Sequence, residues 1–263
     1  MEAIDVCKID GRIVPIVTLP QALGVLFNFP SNLGWVFRGE LDSRWSPIPR
    51  AGRKPFFKSA RPVRENELPS RQNPPRDLGR FNHWRKLASA YIPDLPENDF
   101  EALAYAQHYG LPTRLMDWTE NPLVALYFST EGNFDVDGAV YALFPKGYLD
   151  ESMASIYDFP YTACIKIRPF DRRLLAQHAA FLFFPDPSSP LTPEPINDPR
   201  LVEMCSPLNL VKIRIPAKSK LIIHKQLRDI GMTRRALFPD AEGLSQSFVA
   251  EDVYRAAFED HMS

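Results

Sequence analysis

The stretch QHYGLPTRLMDWTENPLVALYFST, Gln107–Thr130, decides the fold because it changes periodicity twice. Before it, Phe100, Leu103 and Ala104 form an apolar stripe that Gln107 and His108 continue at i+7 and i+8, so an amphipathic helix delivers its last turn here. Tyr109-Gly110, with Pro112 close behind, reads as the stop of that helix. Thr113 to Trp118 is then short and extended, Thr119 is placed to cap, and Asn121 to Thr130 returns to a helical pattern with Pro122 in its first turn. The order is helix, strand, helix.

Upstream, LPQALGVLFNF reads as a short helix with Ala22, Val25, Leu26 and Phe29 on one face, and WVFRG as a strand after the turn at PSNLG. From Phe81 to Tyr91 the pattern predicts a helix with Phe81, Trp84, Leu87, Ala88 and Tyr91 inward. Downstream, GAVYALFP, ACIKIRPF, AAFLFFP and LVKIRIP are short, rich in Val, Ile, Phe or Tyr, and read as strands. KSKLIIHKQLRDIGM predicts a helix stopped by Gly231, and a last helix is expected from Ala241 onward. The pattern specifies an α+β fold, a mixed sheet with flanking helices.

The 26 prolines outnumber the 12 glycines and gather near 47–75 and 185–199, which are expected to be loops because proline removes a backbone donor and constrains its predecessor. With 263 residues the chain fits one large domain or two small ones; no repeat divides it, and a single domain over 1–263 is expected. Hydrophobic residues make up 45% and charged residues 24%, the balance of a globular chain. A formal net charge of −1 gives no global pull toward nucleic acid or anionic lipid. Cys7, Cys164 and Cys205 are widely spaced and suggest neither a disulfide framework nor zinc. The start lacks the pattern of a secretory signal and no run approaches the length that spans a bilayer, so a cytoplasmic protein is expected.

The histidines show no HxH or HExxH spacing, so no metal is expected, and P-loop, GxGxxG and GxSxG signals are absent. RKPFFKSARPVR mixes basic residues with phenylalanines, but solvated cations beside core aromatics account for it. His, Tyr, Thr, Arg, Asp and Trp crowded between Gln107 and Thr119 have two explanations. They satisfy one another in the core, or they gather at a binding site carried by a loop between rigid elements. Arg38 in VFRG likewise either points to solvent or faces a ligand that Gly39 lets approach.

VFRGELDSRWSPIPRAGR (Val36 to Arg53), QHYGLPTRLMDWTENPLVALYF, RRLLAQHAAF (Arg172 to Phe181) and ALFPDAEGL (Ala236 to Leu244) together resemble the FRG domain family, whose Phe-Arg-Gly motif corresponds to Phe37-Arg38-Gly39. The chain also has a more distant resemblance to ADP-ribosyltransferases of the Arg-Ser-Glu type, in Arg38-Gly39 on a strand, Thr113 on an extended segment and Ala125 to Phe128 on the next helix. That second resemblance implies an ADP-ribosyltransferase-like core and NAD as substrate. Arg38 or Arg114 would hold the pyrophosphate, because guanidinium pairs bidentately with phosphate. Gly39, His108, Tyr109, Asp117 and Trp118 would line the nucleotide site, with Tyr109 or Trp118 stacking on nicotinamide. Thr113 would take the serine's place, and Asp240 or Glu242 would supply the late carboxylate, Gln177 being a non-acidic possibility, since no E-x-E pair is present. The resemblances imply an NAD-using enzyme acting on a macromolecular acceptor in bacterial stress or phage defence, or a non-catalytic nucleotide- or partner-binding module.

Overall fold

The computed structural model describes residues 3, 4, 6–9, 12–29, 32, 34–56, 74–145, 148–150, 154–157, 159–191 and 209–262. The basic stretch beyond Phe56, the proline-rich segment from 192 onward and Cys205 lie outside the described residues.

The main sheet has seven strands: β1 (Ala3–Ile4), β4 (Val36–Glu40), β5 (Leu115–Thr119), β6 (Gly138–Phe144), β7 (Ala163–Ile165), β8 (Ala179–Phe183) and β9 (Asn209–Ile215). Their order is β1-β9-β6-β4-β5-β8-β7, antiparallel throughout except for the short parallel β1–β9 pair. A separate hairpin pairs β2 (Val6–Ile9) with β3 (Arg12–Pro15). The fold is α+β, as the periodicities require. The terminal strands were not foreseen, because RIVP is too short and too varied to show alternation.

Helices cover one face in two groups. Over β9, β6 and β4 lie α1 (Leu19–Leu26), α4 (Pro122–Thr130) and α6 (Ala217–Asp229), whose Leu26, Leu126 and Ile223 pack with Phe37, Val140 and Ile213. Over β5, β8 and β7 lie α2 (Arg76–Ala88) and α3 (Asp99–His108), whose Phe81, Phe100 and Leu103 pack with Leu115, Phe181 and Phe183. Phe37 of β4 is the register partner of Thr119 in β5, which by period-two alternation shares a face with Leu115, so both groups lie on the same side. The opposite face is one continuous layer that includes Val36, Met116, Trp118, Tyr141 and Leu182. The short helices α5 (Arg172–Ala176) and α7 (Arg234–Leu237) and the long α8 (Ala241–Met262) complete the described elements.

Local chemistry sets the boundaries. Gly110 has φ +89° after the α3 cap Tyr109, a left-handed position that glycine fills without a steric penalty, and Gly231 plays the same part after α6 with φ +88°. Helix α4 is capped by Asn121, whose side chain accepts from Leu123 N, and not by Thr119; the Thr119 hydroxyl instead accepts from Asn121 N. Helix α2 begins at Arg76 and stops at Ala88, so Tyr91, expected inward, lies beyond it and is 84% exposed; Leu87, also expected inward, is within the helix yet 56% exposed. Gly39 is required by packing, because a Cβ there would meet the Ala125 carbonyl oxygen of α4 at 2.0 Å. Lys220 of α6, fully buried, binds the carbonyls of Leu41, Asn133 and Val136 at 3.0, 2.8 and 3.3 Å, tying the exit of β4 to the loop before β6.

His224 on α6 is buried, 3.3 Å from the Thr130 hydroxyl of α4 and packed between the rings of Tyr127 and Tyr254. Burial, reinforced by Arg228 and Lys220, lowers its pKa from 6.5 to about 4. A group depressed in the folded state binds fewer protons there than when unfolded, so stability is full above pH 6.5 and falls as pH drops toward 4. The loss amounts to roughly 3 kcal/mol across that window. Urea unfolding of wild type and His224→Phe between pH 7 and pH 4.5 should show a stability difference that changes with pH in this direction; parallel profiles would contradict it.

Candidate functional site

The sheet is open at its centre. Strands β4 and β6 pair over the whole of Val36–Glu40, and β5 and β8 over the whole of Leu115–Thr119, yet β4 and β5 pair only at Phe37 and Thr119. Beyond that pair the strands separate, and the two helix groups part above the same seam. A cleft of about 390 Å³ fills the gap. Phe37, Trp118, Val124, Phe128 and Phe238 supply apolar wall, while Arg38, Glu40, Asp117, Glu131 and Gln177 supply polar groups. Trp45, 49% exposed, stands at the mouth.

Arg38 crosses the seam. Its Nε donates to Glu40 Oε1 at 2.7 Å and its Nη1 to the Asp117 carbonyl at 2.6 Å, so a side chain takes a backbone acceptor that a paired strand would have used. The arginine keeps 17% of its side-chain surface and Glu40 only 5%. Glu131 accepts from the Tyr127 hydroxyl at 2.8 Å and pairs with Arg234, so its charge is already matched. The Trp118 indole Nε1 is buried and has no hydrogen-bond partner among the described residues.

Asp117 is the exposed carboxylate of the cleft, and the Gln107–Thr119 stretch orients it. Thr113 Oγ1 donates to Gln107 Oε1 at 2.6 Å, and Gln107 Nε2 donates to Asp117 Oδ1 at 2.7 Å. Thr113 Oγ1 also accepts from Leu115 N at 3.1 Å, which pins the start of β5. Gln107 therefore has both amide ends engaged, and Asp117 is held from one side only.

The structure separates the residues that the sequence had grouped. Arg38, Gly39, Asp117 and Trp118 line the cleft, and so does Gln177. Thr113 is buried behind it and reaches it only through Gln107. Arg114, expected as a phosphate ligand, is 3% exposed, paired with both carboxylate oxygens of Asp77 at 2.7 and 2.8 Å and donating to the Pro185 carbonyl at 2.7 Å. It serves the core, because a buried guanidinium requires this degree of pairing. His108 sits 3.8 Å from Asp171 and edge-on to Phe170, outside the cleft lining, and Tyr109 is 61% exposed. Asp240 and Glu242 both pair with Arg173, and that guanidinium, with the Gly243 amide, lowers the Asp240 pKa to about 2. They stand beside the cleft, not in its lining. Glu40, Trp45, Glu131 and Phe238 were not singled out as site residues from sequence, although Glu40 follows Arg-Gly directly on β4; Phe128, which ends the Ala125–Phe128 motif, does line the cleft.

Among the described residues no group of three or more His, Cys, Asp or Glu could hold a metal ion, and no helix is long and apolar enough to cross a membrane.

The relay makes Thr113 a positioning residue. Thr113→Val removes a buried hydroxyl engaged in two hydrogen bonds and should cost about 1–3 kcal/mol in urea unfolding, while a crystal structure of the variant should show the Gln107 amide turned away from Asp117. Unchanged stability with Gln107 in place would remove the relay.

Comparison with known proteins bears on this same region. Searches of curated proteins and of solved structures each find no match to the chain. The family model of the FRG domain does match, over residues 34–138. That span runs from just before β4 to the first residue of β6 and contains Arg38, Gly39, Glu40, Trp45, Asp117, Trp118 and Glu131 of the cleft, so the part of the chain that is similar to the FRG domain carries these cleft residues.

Proposed function

We propose that the cleft between β4 and β5 binds a nucleotide-like ligand, NAD foremost, and that the protein uses NAD as an ADP-ribosyl donor. The observation that carries this reading is the open seam, where one arginine, one oriented carboxylate and several aromatic rings converge on a volume suited to part of a small ligand. Aromatic walls suit a planar ring, and Asp117, acceptor-only when ionised, suits the hydroxyls of a sugar. In such a transfer the bond from ribose C1′ to nicotinamide breaks, its electron pair leaves with nicotinamide, and the acceptor's nucleophile bonds to C1′. A carboxylate beside the ring stabilises the oxocarbenium-like charge that develops only in the transition state. Asp117 is better placed for that task than Asp240 or Glu242, which Arg173 already neutralises.

A second reading follows from the same pairing: a late carboxylate tied to Arg173 fits a module that binds a nucleotide or a partner without turnover. In either case the setting is the one the family resemblance suggests, bacterial stress or phage defence, with a macromolecular acceptor or partner.

Purified protein incubated with NAD and candidate acceptors distinguishes these outcomes. Nicotinamide release should be abolished in Asp117→Asn with NAD binding retained, and should continue in Asp240→Asn and Glu242→Gln. Arg38→Ala should weaken NAD binding at least about tenfold, the scale of one lost charge-assisted hydrogen bond; Arg38→Lys, which keeps the charge but not the fork, should also weaken it while retaining the fold. NAD bound but never consumed would favour the binding module. No NAD binding by the wild type would overturn both readings.

A further inference from the structure

With Arg114 committed to Asp77, Arg38 is the one cation among the described residues of the cleft lining, set against the carboxylates Glu40 and Asp117, while Glu131 is already matched by Arg234. A phosphate would not settle there unaided. The compensating charge lies on the segment that follows β4.

The turn at Arg50–Gly52 places Arg50 and Arg53 three residues apart, and it is fixed because Ala51 N donates to the Thr113 carbonyl at 3.1 Å just before β5. Arg53 Nη2 lies 3.8 Å from Glu40 Oε1, the same oxygen that Arg38 binds at 2.7 Å. The Arg50 and Arg80 guanidinium carbons each lie 5.7 Å from the centre of the Phe56 ring. Arg50, Arg53 and Arg80 are anchored mainly through backbone carbonyls, those of Gly110, Ile48 and Pro112 at 3.2, 2.7 and 3.5 Å. Each guanidinium has five donors, so most of their capacity is left over. The buried Arg80 Nε has no hydrogen-bond partner among the described residues. Partial desolvation first, and then the neighbouring Arg38, hold the Arg53 pKa below its ordinary value, with Glu40 acting against them and Arg50 with them.

We propose that Arg50 and Arg80, at the Phe56 ring, and Arg53, beside the Arg38–Glu40 pair, form a phosphate subsite that holds the phosphate or pyrophosphate of a ligand whose ring and sugar enter the cleft. The proposal rests on the nucleotide reading for the second half of that ligand but not for the anion. Forked guanidiniums match phosphate oxygens two at a time, and the Phe56 ring that both Arg50 and Arg80 approach is no competing anion.

Calorimetric titration of the full chain at low salt with inorganic pyrophosphate, and separately with ADP-ribose, tests it, with Arg50→Gln/Arg53→Gln as the variant and Lys225→Gln/Arg228→Gln, on α6 away from the subsite, as a charge-matched control. Arg50 and Arg53 are both exposed, so the fold should persist, and thermal melting checks this. The expected result is pyrophosphate binding that weakens with salt, is lost at least tenfold in the double variant and is unchanged in the control, with ADP-ribose following the same order. Pyrophosphate bound in this way but ADP-ribose bound no better would keep the anion subsite and remove the nucleotide reading. ADP-ribose bound equally by wild type and double variant would overturn the subsite and keep that reading. Binding of neither probe by the wild type would overturn the subsite.

Discussion

Everything in the site depends on the arginine that bridges β4 and β5. Two strands that pair at one residue and then diverge leave backbone donors and acceptors without ladder partners, a costly arrangement if sealed from water. Arg38 relieves part of that cost by donating to the Asp117 carbonyl from across the gap while Glu40 holds its other edge. The strands cannot simply close, because Gly39 already brings the α4 backbone against one face of β4 and β6 occupies its other edge. A gap in a sheet is thus made stable by one charge-assisted side chain, and the gap is also the cleft.

Polar residues near the seam divide by burial. Arg114 and Asp77 form a nearly inaccessible pair that joins the start of β5 to α2, and removing either partner would strand a buried charge. Lys220 does comparable work with neutral carbonyls on the other side of β4. These contacts hold both rims of the opening. Thr113 and Gln107 belong between the two classes: they touch no cleft volume, yet they decide where the Asp117 carboxylate points.

How far this was legible in the sequence follows from the range of the interactions. Gly110 ending α3, Pro122 opening α4 and the apolar strand around Phe37 are local features, and sequence specified them well because a turn conformation or a helix face is settled within a few residues. The core role of Arg114 was hidden because its partner lies 37 positions earlier, and an arginine's composition does not distinguish a carboxylate in the core from a phosphate in a ligand. The exposure of Tyr91 was missed for another reason: α2 ends one turn before the apolar periodicity does. The crowded Gln107–Thr119 stretch divides in the structure, Arg114 lying in the core and Asp117 lining the cleft.

The most direct measurement of the central claim is amide hydrogen exchange recorded peptide by peptide with and without NAD. Amides at 38–41 and 117–119 belong to the diverging ends of β4 and β5 and to the residues just beyond them, and a molecule seated in the seam would shield them. Exchange should slow at both segments together, with β6 and β8 unchanged because their ladders are already complete. Slowed exchange confined to surfaces away from the seam, or none anywhere at saturating NAD, would contradict it.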